Sequence, residues 1–386
     1  MVNIFSDANR RDPFPLYAAM RQASPVFRVP PPFDAWLVFD FEGVKRVLSD
    51  PATFSSRVPA PKHWFIFSDA PDHTRQRGLI AKAFTPRMIA GLEGRIEALS
   101  RELLDDVMRR GEMDLATDYA VPLPMKVIAG MIGIPESDWE KYRRWSDAIL
   151  ALSYTRQGGP EAEAAFDEFV AVSDEMDEYL KGMTAARHAS PRNDLLTRLV
   201  AADVDGERLT HAQILGFFQL LLLGGQETTA NLINNAILCF LEHPEQLARV
   251  RERPELLPGA IEEVLRYRSP LQWLMRTPTR EVELHGQTLR PGELVLAMLG
   301  SANRDGRQFP DADRFDVSRE PNAHLAFGYG AHFCLGAALS RMEARIALTD
   351  LLGRLKNLRR AGDEPWEPRK ALHVHGPSRL PVRFDA

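Results

Sequence analysis

The chain has 386 residues, 45% of them hydrophobic, which is enough for an extensive core. A net charge of −5 with both signs interspersed gives no basic footprint for nucleic acid, and no Lys/Arg cluster is long enough to suggest one. The longest apolar stretch, Ile214 to Leu223, is broken by Gln219 and falls short of the roughly 20 residues of a membrane span, so a soluble, cytoplasmic protein without membrane association is expected.

The opening run Met1 to Asp7 has neither a charged leader with an apolar core nor a spanning segment. No Pro/Gly/Ser-rich linker, charge block or repeat divides the chain, so residues 1–386 read as one domain, β-rich near 20–60 and 275–300 and helical elsewhere. Short strands are expected at Val26–Val29 and Trp36–Phe39. His73 and Arg77 are four apart and share a helical face, although either alone reads as a surface group.

The clearest helix opens at Thr210, where Thr210 and Gln213 form a capping-box pair, and runs past Asn234 to a stop near His243-Pro244. About thirty residues at a rise of 1.5 Å make a rod of roughly 45 Å. Its centre, Gly224-Gly225-Gln226-Glu227-Thr228-Thr229, places two glycines, an acid and two β-branched hydroxyls where a helix prefers alanine or leucine. A weak turn there would open to admit a ligand to the Thr228 hydroxyl; glycines that let another element pack close are the competing reading.

Cys239 lies in apolar helical context and reads as core, so with Cys334 it sets up no disulfide framework. Glu263 and Arg266 share a helix face, a pairing that is usually a solvated salt bridge. Arg280 to Leu284 and Glu293 to Met298 read as a hairpin-like pair, punctuated by His285-Gly286 and Pro291-Gly292.

The run Phe327-Gly328-Tyr329-Gly330-Ala331-His332-Phe333-Cys334-Leu335-Gly336 carries the strongest chemical signal. Gly328 and Gly330 let the backbone take positive φ, and a helix is expected over Leu335 to Leu352, which puts Cys334 at or next to its N-terminus. Free amides and the positive end of the helix dipole favour a thiolate, which serves as a nucleophile or a metal ligand. A buried structural cysteine is the default for an isolated residue, and His332 is awkwardly close in sequence to act as a base. The Gly-x-Gly-x-His-x-Cys-x-Gly spacing favours axial haem ligation over both.

The segment from His324 through Gly336 resembles the haem-binding loop of the cytochrome P450 monooxygenases, and the resemblance extends over nearly the whole chain, closest to soluble bacterial members. It implies a mainly α fold with small β-sheets, a triangular single-domain helical bundle enclosing haem b. Cys334 becomes the metal ligand, with Phe327, Gly328 and Gly336 shaping the loop and His73, Arg77, Arg276 and His332 holding the haem propionates. Thr228 supplies a hydroxyl to the bound oxygen and Glu227 relays protons; Gly224 and Gln226 stand where alanine and histidine are commoner. Glu263, Arg266 and Arg319 support the fold. By matching position the substrate pocket draws on Trp64 and Phe65, on Leu220, Leu223 and Gly224, on Leu271, Gln272 and Leu274, and on His373 and Val374, with Gln272 and His373 as polar handles.

The implied reaction inserts one oxygen atom from O2 into a lipophilic small molecule, by hydroxylation or epoxidation. No flavin, nicotinamide or iron–sulfur segment follows Asp350, so the implied electron source is a separate ferredoxin or flavodoxin with an NAD(P)H-dependent reductase. Arg341 and Arg345 are candidate docking cations, with plain solvation as the competing reading. A peroxide-driven peroxygenase has no need of the Glu227-Thr228 pair, and a non-catalytic haem sensor leaves both the pair and the apolar pocket without a use.

Overall fold

The structure is a computed structural model that describes residues 6–31, 33–58, 63–152 and 159–385. Residues 1–5, read above as carrying no leader, lie outside the described residues. Helices dominate, with small sheets, as expected for the fold class. Among the described residues no helix is long and apolar enough to cross a membrane.

The chain forms two compact units, one of Met1–Ser55, Ile96–Leu123 and Thr228–Ala386, the other of Ser56–Arg95 and Pro124–Glu227. The first holds a five-stranded sheet in the order Val26–Val29, Ala35–Val38, Leu294–Ala297, Leu274–Pro278, Phe54–Ser55. All four residues of Ala35–Val38 are buried, because this inner strand packs apolar side chains on both faces. The two expected N-terminal strands are present, the second one residue earlier than read.

The expected pairing of residues 280–284 with 293–298 is corrected. Val282–Leu284 pairs instead with Gln287–Leu289, while Leu294–Ala297 runs parallel to Ala35–Val38 and antiparallel to Leu274–Pro278. The cause is the two-residue turn His285-Gly286, both at positive φ (49° and 74°), which reverses the chain at once and leaves the later strand to the larger sheet.

In the second unit the Trp139–Ala151 and Pro160–Ala189 helices bury Tyr142, Trp145 and Met176. A buried Arg187–Asp194 pair at 2.8 Å also reaches the Gly133 carbonyl oxygen at 3.0 Å.

The long helix spans His211–Glu242 without interruption, about 48 Å from its 32 residues. Its capping box is formed: the Thr210 amide donates to Gln213 Oε1 at 3.0 Å and the Gln213 amide to Thr210 Oγ1 at 3.2 Å. Gln219, the polar break in the apolar run, accepts from Trp64 Nε1 and donates to Ser173 Oγ, each at 2.8 Å. The two central glycines differ in kind. A Cβ at Gly225 would run into Ile128 Cδ1, so this glycine serves close packing, whereas a Cβ built at Gly224 meets nothing within 4 Å among the described residues beyond the helix's own neighbouring backbone.

Candidate active site

Gly328 and Gly330 adopt φ of 73° and 74°, as the cysteine run requires. A Cβ at Gly330 would stand 3.1 Å from the Leu48 carbonyl oxygen, so the loop also needs glycine for its approach to the Phe41–Ser49 helix. The Cys334 amide donates to the Phe327 carbonyl at 2.9 Å and closes the loop. The following helix is Ala337–Arg354, starting two residues later than read, and its N-cap, Gly336, makes no side-chain cap. Cys334 is exposed just ahead of that helix end, where unpaired amides favour a thiolate. Cys239 is the opposite case, its thiol pushed up to about 12 by burial.

A haem suits this donor. Cys334 offers one accessible sulfur, and among the described residues no group of three or more His, Cys, Asp or Glu could hold a metal ion, so a metal at Cys334 has to bring its other ligands.

Phe327 and Phe333 pack at 6.2 Å on the same loop. Leu274 reaches the loop too, since a Cβ at Gly328 would touch Leu274 Cδ1 at 3.4 Å. Arg341 lies over the Phe327 ring at 4.5 Å, but it is no free docking cation: Nε and Nη2 each donate to Glu262, both at 2.7 Å. His324 Nδ1 accepts from the Ala326 amide at 3.2 Å, so its Nε2 donates to Glu262 Oε2 at 3.1 Å. Burial would raise the Glu262 carboxyl, but hydrogen bonds from Arg341 and His324 outweigh it and hold the group at about 2.

Glu263, one residue on, is fully buried together with Arg266. Arg266 donates Nε to Glu263 Oε2 and Nη2 to Oε1, both at 2.8 Å. It also reaches the carbonyls of Asn303 (3.0 Å), Ala312 (2.7 Å) and Arg314 (3.1 Å). Arg319 Nε joins Glu263 at 3.1 Å, as do the Asp316 amide at 3.0 Å and Asn322 Nδ2 at 3.1 Å. The three residues read as one element are thus assembled around one carboxylate that ties the Leu257–Tyr267 helix to the segment before the cysteine loop.

The pocket stretches 271–274 and 373–374, far apart in sequence, meet. Leu271 and Val374 form an antiparallel bridge, and the Gln272 amide donates to the His373 carbonyl at 2.7 Å. The Gln272 side chain is buried, with its Oε1 accepting from Tyr17 at 3.1 Å and its Nε2 donating to the Ser269 carbonyl at 2.7 Å. His373 is half-buried with its ring 5.7 Å from Trp273. Arg276 is buried on the Leu274–Pro278 strand, and His332 is half-buried on the cysteine loop.

In the second unit His73 is buried and stacks on Phe65 at 5.9 Å, with Arg77 half-buried one turn on. Phe65 also packs on Phe217, and Trp64 is buried against Phe67 and Phe169. Along the long helix Leu220, Gly224 and Thr228 recur at every fourth residue and share a face, on which Gly224 is exposed and Thr228 half-buried. Leu223 is half-buried and Glu227 buried.

Sequence reasoning missed three ties. Thr229 Oγ1 donates to Ser340 Oγ at 3.1 Å, joining the long helix to the helix after the cysteine. Asn235 Nδ2 bridges the carbonyls of Arg268 (3.0 Å) and His375 (2.9 Å). Glu262 stood beside the acid that was read. Polar residues inside an apolar helical run were the available signal, since buried amides and hydroxyls need partners.

A family model described as Cytochrome P450 matches residues 158–379. Cytochrome P450 107B1 of Saccharopolyspora erythraea is 41% identical, with 98% of this chain and 96% of that protein aligned. Among solved structures, CYP109E1 from Bacillus megaterium in complex with testosterone matches with a TM-score of 0.89 and 36% identity, covering 97% of this chain and 100% of that one. P450BioI in complex with hexadec-9Z-enoic acid ligated acyl carrier protein matches with a TM-score of 0.90 and 34% identity, covering 98% and 99%. An exposed cysteine in a glycine-shaped loop, a buried Glu-x-x-Arg network and these likenesses agree: the chain belongs to the cytochrome P450 family.

Proposed function

We propose that this monooxygenase hydroxylates or epoxidises a lipophilic small molecule, with Cys334 as the residue that would hold the iron of haem b. The family implies haem, dioxygen and a redox partner. The observation that carries the ligand role is the exposed sulfur ahead of a helix N-terminus without a side-chain cap. Cys239 is in the core and Cys334 is taken as ligand, which leaves no thiol for covalent attachment and supports the b form. Bound there, haem supplies the oxygen-activating chemistry that ends with one oxygen atom in the substrate.

The chain's own residues orient and protonate. Thr228 Oγ1 donates a hydrogen bond to the oxygen substrate, and the Glu227 carboxyl replenishes that proton. Arg276 and Arg77 would neutralise the propionates and His332 and His73 would donate hydrogen bonds to them, since these groups otherwise carry charge into a poorly solvated region. Gly336 keeps a side chain off the sulfur, which lies 3.9 Å from where its Cβ would stand, while Phe327 and Gly328 shape the loop that presents it.

The proposed lining is Trp64, Phe65, Leu220, Leu223, Gly224, Leu271, Leu274 and Val374, with His373 as the polar handle now that Gln272 is engaged elsewhere. The steroid and fatty-acyl ligands named for the two related structures support a lipophilic substrate. Electrons come from a ferredoxin or flavodoxin with its NAD(P)H-dependent reductase, in the cytoplasm, where the thiolate stays reduced.

Reduced protein under carbon monoxide should show the red-shifted absorption of a thiolate-ligated haem, and Cys334→Ser should abolish it; persistence of the band in the variant refutes the assignment. A spectral-shift screen with fatty acids, terpenes, steroids and macrolides then identifies the substrate class, and a response confined to charged, water-loving compounds refutes the lipophilic reading.

A further inference from the structure

We propose that the Glu262–Arg341 ion pair sets the electron affinity of the centre at Cys334, with the arginine raising it and the glutamate holding that effect in check. This rests on the haem-thiolate reading above.

Arg341 stands about one turn into the helix that follows Cys334, and its guanidinium covers Phe327 at 4.5 Å. Phe327 is itself part of the cysteine loop: its carbonyl accepts the Cys334 amide at 2.9 Å and its ring meets Phe333, the neighbour of the sulfur, at 6.2 Å. The positive charge is therefore fixed against the aromatic and backbone surroundings of the thiolate. The two charges sense each other, since hydrogen bonding to Glu262 first and the negative charge at Cys334 in addition hold the Arg341 proton more tightly than usual.

Glu262 grips that guanidinium with both oxygens at 2.7 Å and takes a further hydrogen bond from His324 at 3.1 Å, so neither partner is free to swing away. Compensated charges so placed have a simple consequence. Removing the glutamate leaves a bare cation near the sulfur, which favours an added electron; removing the arginine leaves a bare anion, which disfavours it. Loss of packing or of loop order alone would move both variants the same way.

The test is spectroelectrochemical titration of the haem-loaded full chain and of Glu262→Gln, Arg341→Ala and Arg341→Lys. Glu262→Gln should raise the reduction potential and Arg341→Ala lower it, each by a roughly tenfold change in the one-electron equilibrium constant, about 59 mV. Arg341→Lys, which restores the charge without the fork, should return most of the way to the parent value. Shifts of the same sign in the first two variants, or none beyond twofold, overturn the inference while the parent spectrum leaves the haem-thiolate reading intact. A parent protein without a thiolate-type spectrum overturns both.

Discussion

Replacing Arg266 with methionine keeps most of the stem volume and removes the charge, and the structure makes its cost calculable. Arg266 is fully buried with Glu263. After substitution Glu263 keeps Arg319, the Asp316 amide and Asn322, but loses both of its shortest bonds, and the carbonyls of Asn303, Ala312 and Arg314 lose a donor. Breaking a buried pair from one side costs about 3–5 kcal/mol, because the remaining charge is left undercompensated. The Asn303 and Ala312 carbonyls push the figure toward the upper end, since each unpaired buried polar group costs about 1–3 kcal/mol before relaxation or entry of water, whereas the Arg314 carbonyl keeps Arg319 Nη2 at 3.1 Å.

Arg319→Met is the internal comparison. It leaves the Glu263–Arg266 pair whole and removes a partner that is 11% exposed, so about 1–2 kcal/mol is expected. Urea unfolding followed by far-ultraviolet circular dichroism, with the slope compared across variants, reads both losses. An Arg266→Met loss below about 1 kcal/mol, or a larger loss for Arg319→Met, would show that the carboxylate hub does not carry the load argued here.

Gly225→Ala should destabilise by about 1–3 kcal/mol through overpacking on Ile128, and adding Ile128→Val, which deletes the Cδ1 atom in the way, should recover part of the loss; strict additivity in the double variant would refute the contact. Burial first, then nearby Arg268, lower the His375 imidazole from 6.5 to about 3. The unfolded chain therefore takes up a proton below 6.5 that the native chain refuses until about 3, and this residue makes stability fall as pH drops through that window. The stability difference between parent and His375→Asn should shrink by up to about 1.4 kcal/mol per pH unit there, and a difference that stays constant from near-neutral pH to the middle of the window contradicts the burial argument. Thr228→Ala should retain haem and substrate binding while diverting electrons from product into hydrogen peroxide; unchanged coupling removes Thr228 from proton delivery.

Features set by local chemistry were legible in the sequence. The Thr210–Gln213 cap, the stop at His243-Pro244 and the positive-φ glycines around Cys334 depend on residues within a few positions of one another. Features that depend on which distant surface arrives were not. Leu294–Ala297 looks like a hairpin arm until the two-residue turn at His285-Gly286 takes its partner away. Gln272 looks available until Tyr17, 255 residues earlier, fills its oxygen. Arg341 looks like a surface cation until Glu262 claims it from another helix. The Glu263–Arg266–Arg319 set lay between these cases, since the helical spacing of the first two was local but the third was supplied only by family resemblance.

The chain end is stitched twice. The His375 amide donates to the Pro270 carbonyl at 2.8 Å beside the Leu271–Val374 bridge, and Pro381–Asp385 then joins a separate sheet with Lys356–Arg360 and Glu112–Asp114. Residues 361–380, between the Lys356–Arg360 and Pro381–Asp385 strands, thus make a replaceable cartridge, pinned by sheet at both ends, stitched near its middle and covalently remote from the sulfur loop. Grafting residues 361–380 from a relative should therefore change which compounds elicit a spectral shift while leaving the thiolate-type spectrum untouched, provided that His373 and Val374 line the pocket as proposed.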